Sequence, residues 1–385
     1  MVNTILTPRV NLRQWLKTLQ YTLWDKARAH ALLIILCIIF FITAFVLNHS
    51  MNRQLATSAA PYLELVFMVI LPISLAISVI AKFIYMLFVE RPDRLTKAII
   101  DFYKPYLTDA NRYANCFIVI FCMLFSFIAF ADTKPLIPLM NDYSWDQSFM
   151  RLDRLLHFGQ DPWRLLSSAF GHPIITQWIN YLYNFWYFIM FMFWVGAATS
   201  KKTHIQHQNS NDWERQFLLS FIICWIIGGL ILATLFSSMG PAFYDLIDNV
   251  NNPYAAQMAA LANVHETHEL WAVDTHAILR ESYLKPKPGQ LSGISAMPSI
   301  HNATSAIFML TAYRINKKFG HLMAIYLGFI VIGSIHLAWH YAVDAYAGII
   351  IALFVWWLTG KALKLQDKII PFSAHPNPTD PIKFF

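Results

Sequence analysis

Three ionisable side chains stand close together in an otherwise apolar stretch, Ser334-Ile335-His336-Leu337-Ala338-Trp339-His340-Tyr341-Ala342-Val343-Asp344. On a helix, residues four apart share a face, so the spacing predicts that His340 and Asp344 touch. A carboxylate that holds one imidazole nitrogen leaves the other free to act as nucleophile or base. Upstream, Pro298-Ser299-Ile300-His301 opens another apolar run. Proline and serine suit a helix start, and a helix N-terminus offers free N–H groups and a positive dipole end to a phosphate. His301, one turn in, would face that anion. Read alone, this stretch is more simply a capped helix with an incidental histidine. His336 reads either as a third member of the site or as a packed helix histidine.

Metal chemistry is the rival use of these histidines. It needs three or four ligands of defined geometry, and with Asp344 engaged by His340 only His336 and His301 are obvious. A metal is therefore the less favoured reading. His265-Glu266-Thr267-His268 is one residue short of the HExxH zinc motif and reads as lid surface. Lys82 through Arg91-Pro92 resembles a lysine-to-Arg-Pro phosphate motif, with a spacing two residues too long.

The elements that must carry these residues belong to a membrane. The chain has 385 residues, 57% hydrophobic and only 13% charged, against about 25% charged in a soluble domain. The net charge of +7 falls in short clusters between apolar runs, which argues against nucleic-acid binding. Cys37, Cys116, Cys122 and Cys224 lie within apolar runs without a CxxC pair and read as packing residues.

A bilayer crossing takes roughly 20 apolar residues. On that measure the expected fold is an all-α integral membrane protein of about eight transmembrane helices, near 31–48, 61–88, 114–131, 175–198, 216–238, 300–316, 321–338 and 341–360. Residues 1–113 would hold a basic amphipathic N-terminus and two extra spans, with the N-terminal segment either lying on an anionic membrane surface or docked on the protein. Residues 114–360 would form a six-helix core with loops 132–174 and 239–298, the latter as a lid; residues 361–385 would be a tail. The basic residues set the orientation. The N-terminal segment, Arg91 to Arg112, Lys201 to Arg215, Arg314 to Lys318 and Lys361 to Lys368 all fall on one side, expected to be cytoplasmic along with both termini. His301 and His340 then sit at the exoplasmic face, periplasmic if the cell is bacterial.

A Pro-Ser-x-His at a helix start followed by His-x-x-x-Asp at the start of the last span resembles the type 2 phosphatidic acid phosphatase superfamily. More narrowly, it resembles the branch containing inositol phosphorylceramide synthases and their bacterial relatives. Leu152-Asp153-Arg154 through Asp161-Pro162-Trp163-Arg164, Ser238-Met239-Gly240-Pro241-Ala242-Phe243-Tyr244, Gly293 to Ser299 and the pair His340-Tyr341 carry that narrower likeness. The resemblance covers roughly residues 114–360. It implies that His340 attacks phosphorus and becomes a phosphohistidine, that Asp344 orients it, that His301 serves as acid and then base, and that no metal and no organic cofactor is needed. Substrate contacts are expected from Ser299, Tyr341, His336, Pro241 and Tyr244.

The chain departs from the phosphatase pattern in two places. Ser334 stands where those enzymes have an arginine, six residues before the nucleophile, and Gly240-Pro241 stands where they have Arg-Pro. Positive groups must surround a transferring phosphoryl unit. The candidates are Arg154, Arg164, Arg280, Lys285 and Lys287, together with Ser299 and backbone N–H groups. Arg154 and Arg164 have alternative readings as partners of Asp153 or Asp161, or of lipid headgroups. The expected activity is transfer of a phosphoryl or phospho-headgroup unit from a membrane lipid to a hydroxyl acceptor, itself a lipid or a glycan. A lipid phosphate or pyrophosphate phosphatase is the alternative; a transporter or an inactive lipid-binding protein fits less well, since no inverted repeat is visible.

Overall fold

A computed structural model of the chain describes residues 12–53, 64, 68–69, 71–200, 213–285 and 293–370. The described part is helical. In order, its helices are α1 (Leu12–Ala29), α2 (Ala31–Ser50), α3 (Leu71–Tyr85), α4 (Leu95–Thr108), α5 (Ala110–Thr133), α6 (Asp146–Leu156), α7 (Pro162–Phe170), α8 (Pro173–Asn184), α9 (Trp186–Ala198), α10 (Trp213–Ile226), α11 (Ala255–His265), α12 (Trp271–Leu284), α13 (Ile300–Ile315), α14 (Lys317–His336) and α15 (Ala342–Ile369).

Among the described residues, five helical stretches are long and apolar enough to cross a bilayer: Ala31–Ser50, Ala110–Met140, Trp213–Leu235, Lys317–His336 and Ala342–Ile369. The protein is an integral membrane protein. Ile35, Ile38, Ile39 and Ile42 of α2 and Ile350, Leu353, Phe354 and Trp357 of α15 face outward, where lipid would cover them. The expected count of eight is corrected to five for identifiable reasons. The run 175–198 is interrupted at Phe185, giving α8 of 12 residues and α9 of 13. The run 300–316 forms α13, 16 residues long, with buried Asn302, Thr304, Ser305 and Thr311; Trp186 Nε1 donates to Thr304 Oγ1 at 3.1 Å. It is a polar-studded interior helix. The run 61–88 lies partly outside the described residues, and its described helix α3 has 15 residues before a π-helical turn, Met86–Glu90.

The helices share two ends. At one, Arg112 Nη1 donates to Thr199 O, Arg215 pairs with Asp367, Arg314 donates to Gln216, and Gln366 binds the Arg28 and Ala29 carbonyls. At the other, Asn48 reaches the Asp132 carbonyl, Asn141 the Thr234 carbonyl, and the Ser299 amide the Asp344 carbonyl. Helices α2, α5, α10 and α14 therefore run toward the second end, and α8–α9, α13 and α15 run back from it. Arg112, Arg215 and Arg314 stand at the first end, and His301, His336 and His340 at the second.

Apolar tails are as greasy as leucine, so helices in a bilayer associate by close packing rather than by escape from water. Here an aromatic core does this: Phe193 stacks on Phe308 with centroids 4.9 Å apart, and Phe217 and Phe221 are fully buried around them. At Gly348 of α15 an added Cβ would lie 2.4 Å from the Ser299 carbonyl, so only glycine lets α15 come this close to the start of α13. The N-terminal helix α1 packs on α5, the docked alternative for that segment.

Candidate active site

The stretch from Ser334 to Asp344 is not one helix. Helix α14 ends at His336, Ala338 takes a left-handed φ of 61°, His340 is in a short connector, and α15 begins at Ala342. The premise that His336, His340 and Asp344 share a helix face is thus overturned, yet His340 and Asp344 still meet. His340 Nδ1 lies 3.4 Å from Asp344 Oδ2, across the first turn of α15. The same carboxylate oxygen accepts the Tyr341 N–H at 3.0 Å, as an acidic residue in a first helical turn commonly does.

A shorter bond fixes the ring. His340 Nδ1 is 2.8 Å from the Ala296 carbonyl. A carbonyl only accepts, so Nδ1 carries the hydrogen and the neutral ring has its lone pair on Nε2. Burial, helped by the nearby positive charge of Lys134, lowers His340 from the usual histidine range to about 3. His340 is neutral near pH 7.

Two buried carboxylates hold this connector, and neither stands out as a site residue in the sequence. Asp146 accepts from the Met239 and Gly240 N–H groups and, at 2.8 Å, from the Tyr341 hydroxyl. Asp153 accepts the Ala342 N–H at 2.8 Å and the Val343 N–H at 2.9 Å, and so caps α15 from a different helix. Burial raises both; Asp153 is pushed up to about 7 against the pull of its two N–H bonds. Gly240, at φ 91°, passes where a Cβ would be 2.9 Å from the Trp339 carbonyl.

His340 and His301 line one cavity of about 550 Å³, with Lys134, Tyr183, Asn184 and Trp339 among its walls. Thr275 and Leu279 of α12, within the segment 239–298 expected as a lid, also line it. His301 sits on the first turn of α13 between aromatic rings, stacked on Tyr183 at 4.8 Å and tilted on Trp186 at 4.4 Å. Lys134, at the end of α5, is the one lysine or arginine among the described residues that line this cavity. A single lysine before Pro135 gives only a faint signal in sequence, because the apolar run reads as ending ahead of it.

The other expected contacts lie elsewhere. Ser299 is buried as the cap of α13, bonded to Asn302, which also reaches Ser334. His336 Nε2 meets Thr176 Oγ1 at 2.9 Å and lines a separate cavity of about 50 Å³. Tyr341 is buried on Asp146, Pro241 starts a 3₁₀ turn, and Tyr244 packs against Tyr254. Arg154 forms a 2.6 Å ion pair with Asp161, which Arg164 approaches at 3.5 Å, and Arg280 pairs with Asp245. Lys285 is exposed at the end of α12, and Lys287 lies outside the described residues.

Fold and cavity together define a membrane-embedded helical bundle with His301, His340 and Lys134 around one cavity at one end. Residues 147–358 match the PAP2 superfamily. That is more than half of the chain, and the protein belongs to this superfamily of membrane phosphatases and phosphotransferases. No curated protein and no solved structure matches it.

Proposed function

We propose that the protein is a lipid phosphotransferase working through a phosphohistidine on His340, at the exoplasmic face. The observation that carries this reading is the Nδ1–H bond from His340 to the Ala296 carbonyl, which leaves the Nε2 lone pair on a neutral ring in the cavity shared with His301. In the first half-reaction Nε2 forms a bond to phosphorus as the bond to the leaving oxygen breaks. His301, which burial chiefly lowers to about 3 and which the negative charge of the bound phosphate raises enough to take up a proton, gives that proton to the oxygen. In the second, an acceptor hydroxyl loses its proton to His301 and attacks phosphorus, and the N–P bond breaks. Asp344, at 3.4 Å, balances the positive charge the ring carries while it is phosphorylated.

The inositol phosphorylceramide synthase-like branch is favoured because Ser334 and Gly240-Pro241 replace the arginines of the phosphatase pattern. The exoplasmic placement is supported by the gathering of Arg112, Arg215 and Arg314 at the end of the bundle away from the cavity. The donor is a membrane phospholipid and the acceptor a hydroxyl compound.

The test is to incubate purified protein with headgroup-labelled phospholipids, with and without hydroxyl acceptors such as ceramide or a polyol. Label moving to the acceptor supports the transferase. Release of phosphate at full rate without any acceptor would assign it as a hydrolase. His301→Ala should lower turnover by about 10²–10⁴-fold, the usual worth of general acid–base help.

A further inference from the structure

We propose that Lys134 is the cation that anchors the non-bridging oxygens of the substrate phosphate. The inference rests on the phosphoryl-transfer reading above and supplies the positive group that reading lacks. Each arginine expected to fill that role is otherwise engaged: Arg154 and Arg164 meet Asp161, and Arg280 meets Asp245. Lys134 is half-buried in the cavity wall with His301 and His340. Among the described residues no carboxylate lies within ion-pairing distance of it, and its ammonium rests 5.8 Å from the Phe130 ring centroid. A cation withdrawn from water without a counter-charge is costly, and a cation–π contact returns only part of that. A phosphate in the cavity would be its counter-ion.

The position of the stem favours this role. Its Cγ lies 4.0 Å from where a Cβ on Gly293 would stand, so Lys134 runs beside the segment Gly293–Ala296 whose last carbonyl holds His340. Anchor and nucleophile are thereby referenced to one piece of backbone. Helix α5 precedes the superfamily match at residues 147–358, so the anchor comes from outside the matched region. Lysine presents a compact charge on a flexible stem, able to follow the phosphorus from leaving oxygen to histidine.

The probe is inorganic phosphate, titrated against the full-length protein in detergent and read by thermal stabilisation and by ³¹P line width. Lys134→Gln should weaken phosphate binding about tenfold to a hundredfold, the usual loss on removing a charge-assisted hydrogen bond. Lys134→Arg should stay within about threefold. Unliganded melting of both variants is the folding control, and a shift of the donor KM in Lys134→Gln is the kinetic counterpart. His340→Ala should bind phosphate like the wild type while turnover is lost. Equal phosphate affinity in Lys134→Gln and wild type overturns the anchor, even if turnover proceeds through His340. Wild-type protein that does not respond to phosphate overturns it as well. Lys134-dependent phosphate binding without transfer by the wild type would retain the anchor and remove the phosphotransferase reading instead.

Discussion

Replacing Asp344 by asparagine separates the charge of this residue from its structural bond. Asparagine can still accept the Tyr341 N–H through its carbonyl oxygen, the bond Asp344 Oδ2 makes at 3.0 Å. The His340 tautomer should also survive, because the Ala296 carbonyl holds Nδ1 at 2.8 Å without help from Asp344. What is lost is a carboxylate able to stand negative 3.4 Å from the ring once that ring becomes cationic. At an effective dielectric of 20 that charge is worth about 5 kcal/mol against a full imidazolium charge, or roughly 10³–10⁴-fold in rate. Only part of the charge has developed in the transition state, so Asp344→Asn is expected to lower turnover by about 10²–10³-fold. The stability cost should be near 1 kcal/mol, because the new amide group lands where Asp344 Oδ1 has no partner among the described residues. Asp344→Ala should lose about 1–2 kcal/mol more with the helix-start bond. The assay is turnover on labelled phospholipid beside thermal unfolding in the same detergent. Turnover of Asp344→Asn within threefold of wild type, with the fold intact, would refute the electrostatic role.

Asp153→Ala strips α15 of the two N–H bonds that fix its start, and should cost about 3–5 kcal/mol of stability with a parallel loss of turnover, measured by unfolding and activity in one preparation. His336→Gln should leave turnover within about threefold, since His336 meets Thr176 in a separate cavity; a loss as large as that of His301→Ala would place it in the chemistry. Burial lowers His276 of α12 to about 3. Its folded pKa lies below the unfolded value near 6.5, so the unfolded chain takes up the proton first as pH falls, and stability is lost from about pH 6.5 downward toward 3. Between pH 7 and 4.5 this amounts to roughly 3 kcal/mol, and His276→Phe should remove that share of the acid loss in unfolding experiments.

Hydropathy locates the apolar stretches because length and composition decide which helices can span. It overcounts where side chains look inward. Thr304 and Asn302 make α13 an interior helix, and the break at Phe185 divides what reads as one run. The pairing of His340 with Asp344 is legible in the sequence, though for a mistaken reason. The left-handed turn at Ala338 ends the helix and sends His336 to Thr176, while the first turn of α15 returns Asp344 to His340. In sequence Asp146 draws no notice, and Asp153 reads as a candidate partner of Arg154 or Arg164. Their work is to bind N–H groups from segments distant in the chain: Met239 is 93 residues from Asp146, and Ala342 is 189 residues from Asp153. No local pattern encodes such a bond. Lys134 is inconspicuous for the same reason: the cavity that gives it meaning is assembled from helices far apart in sequence.

The central claim is that phosphorus is carried on His340. Rapid quenching of the protein during turnover of a phospholipid labelled with ³²P, followed by peptide mapping, tests it directly. The expected result is an alkali-stable, acid-labile label on the peptide that contains His340, absent from His340→Ala. A wild-type protein that turns over with no protein-bound phosphorus at any quench time, or a His340→Ala protein that still carries the label, would contradict it.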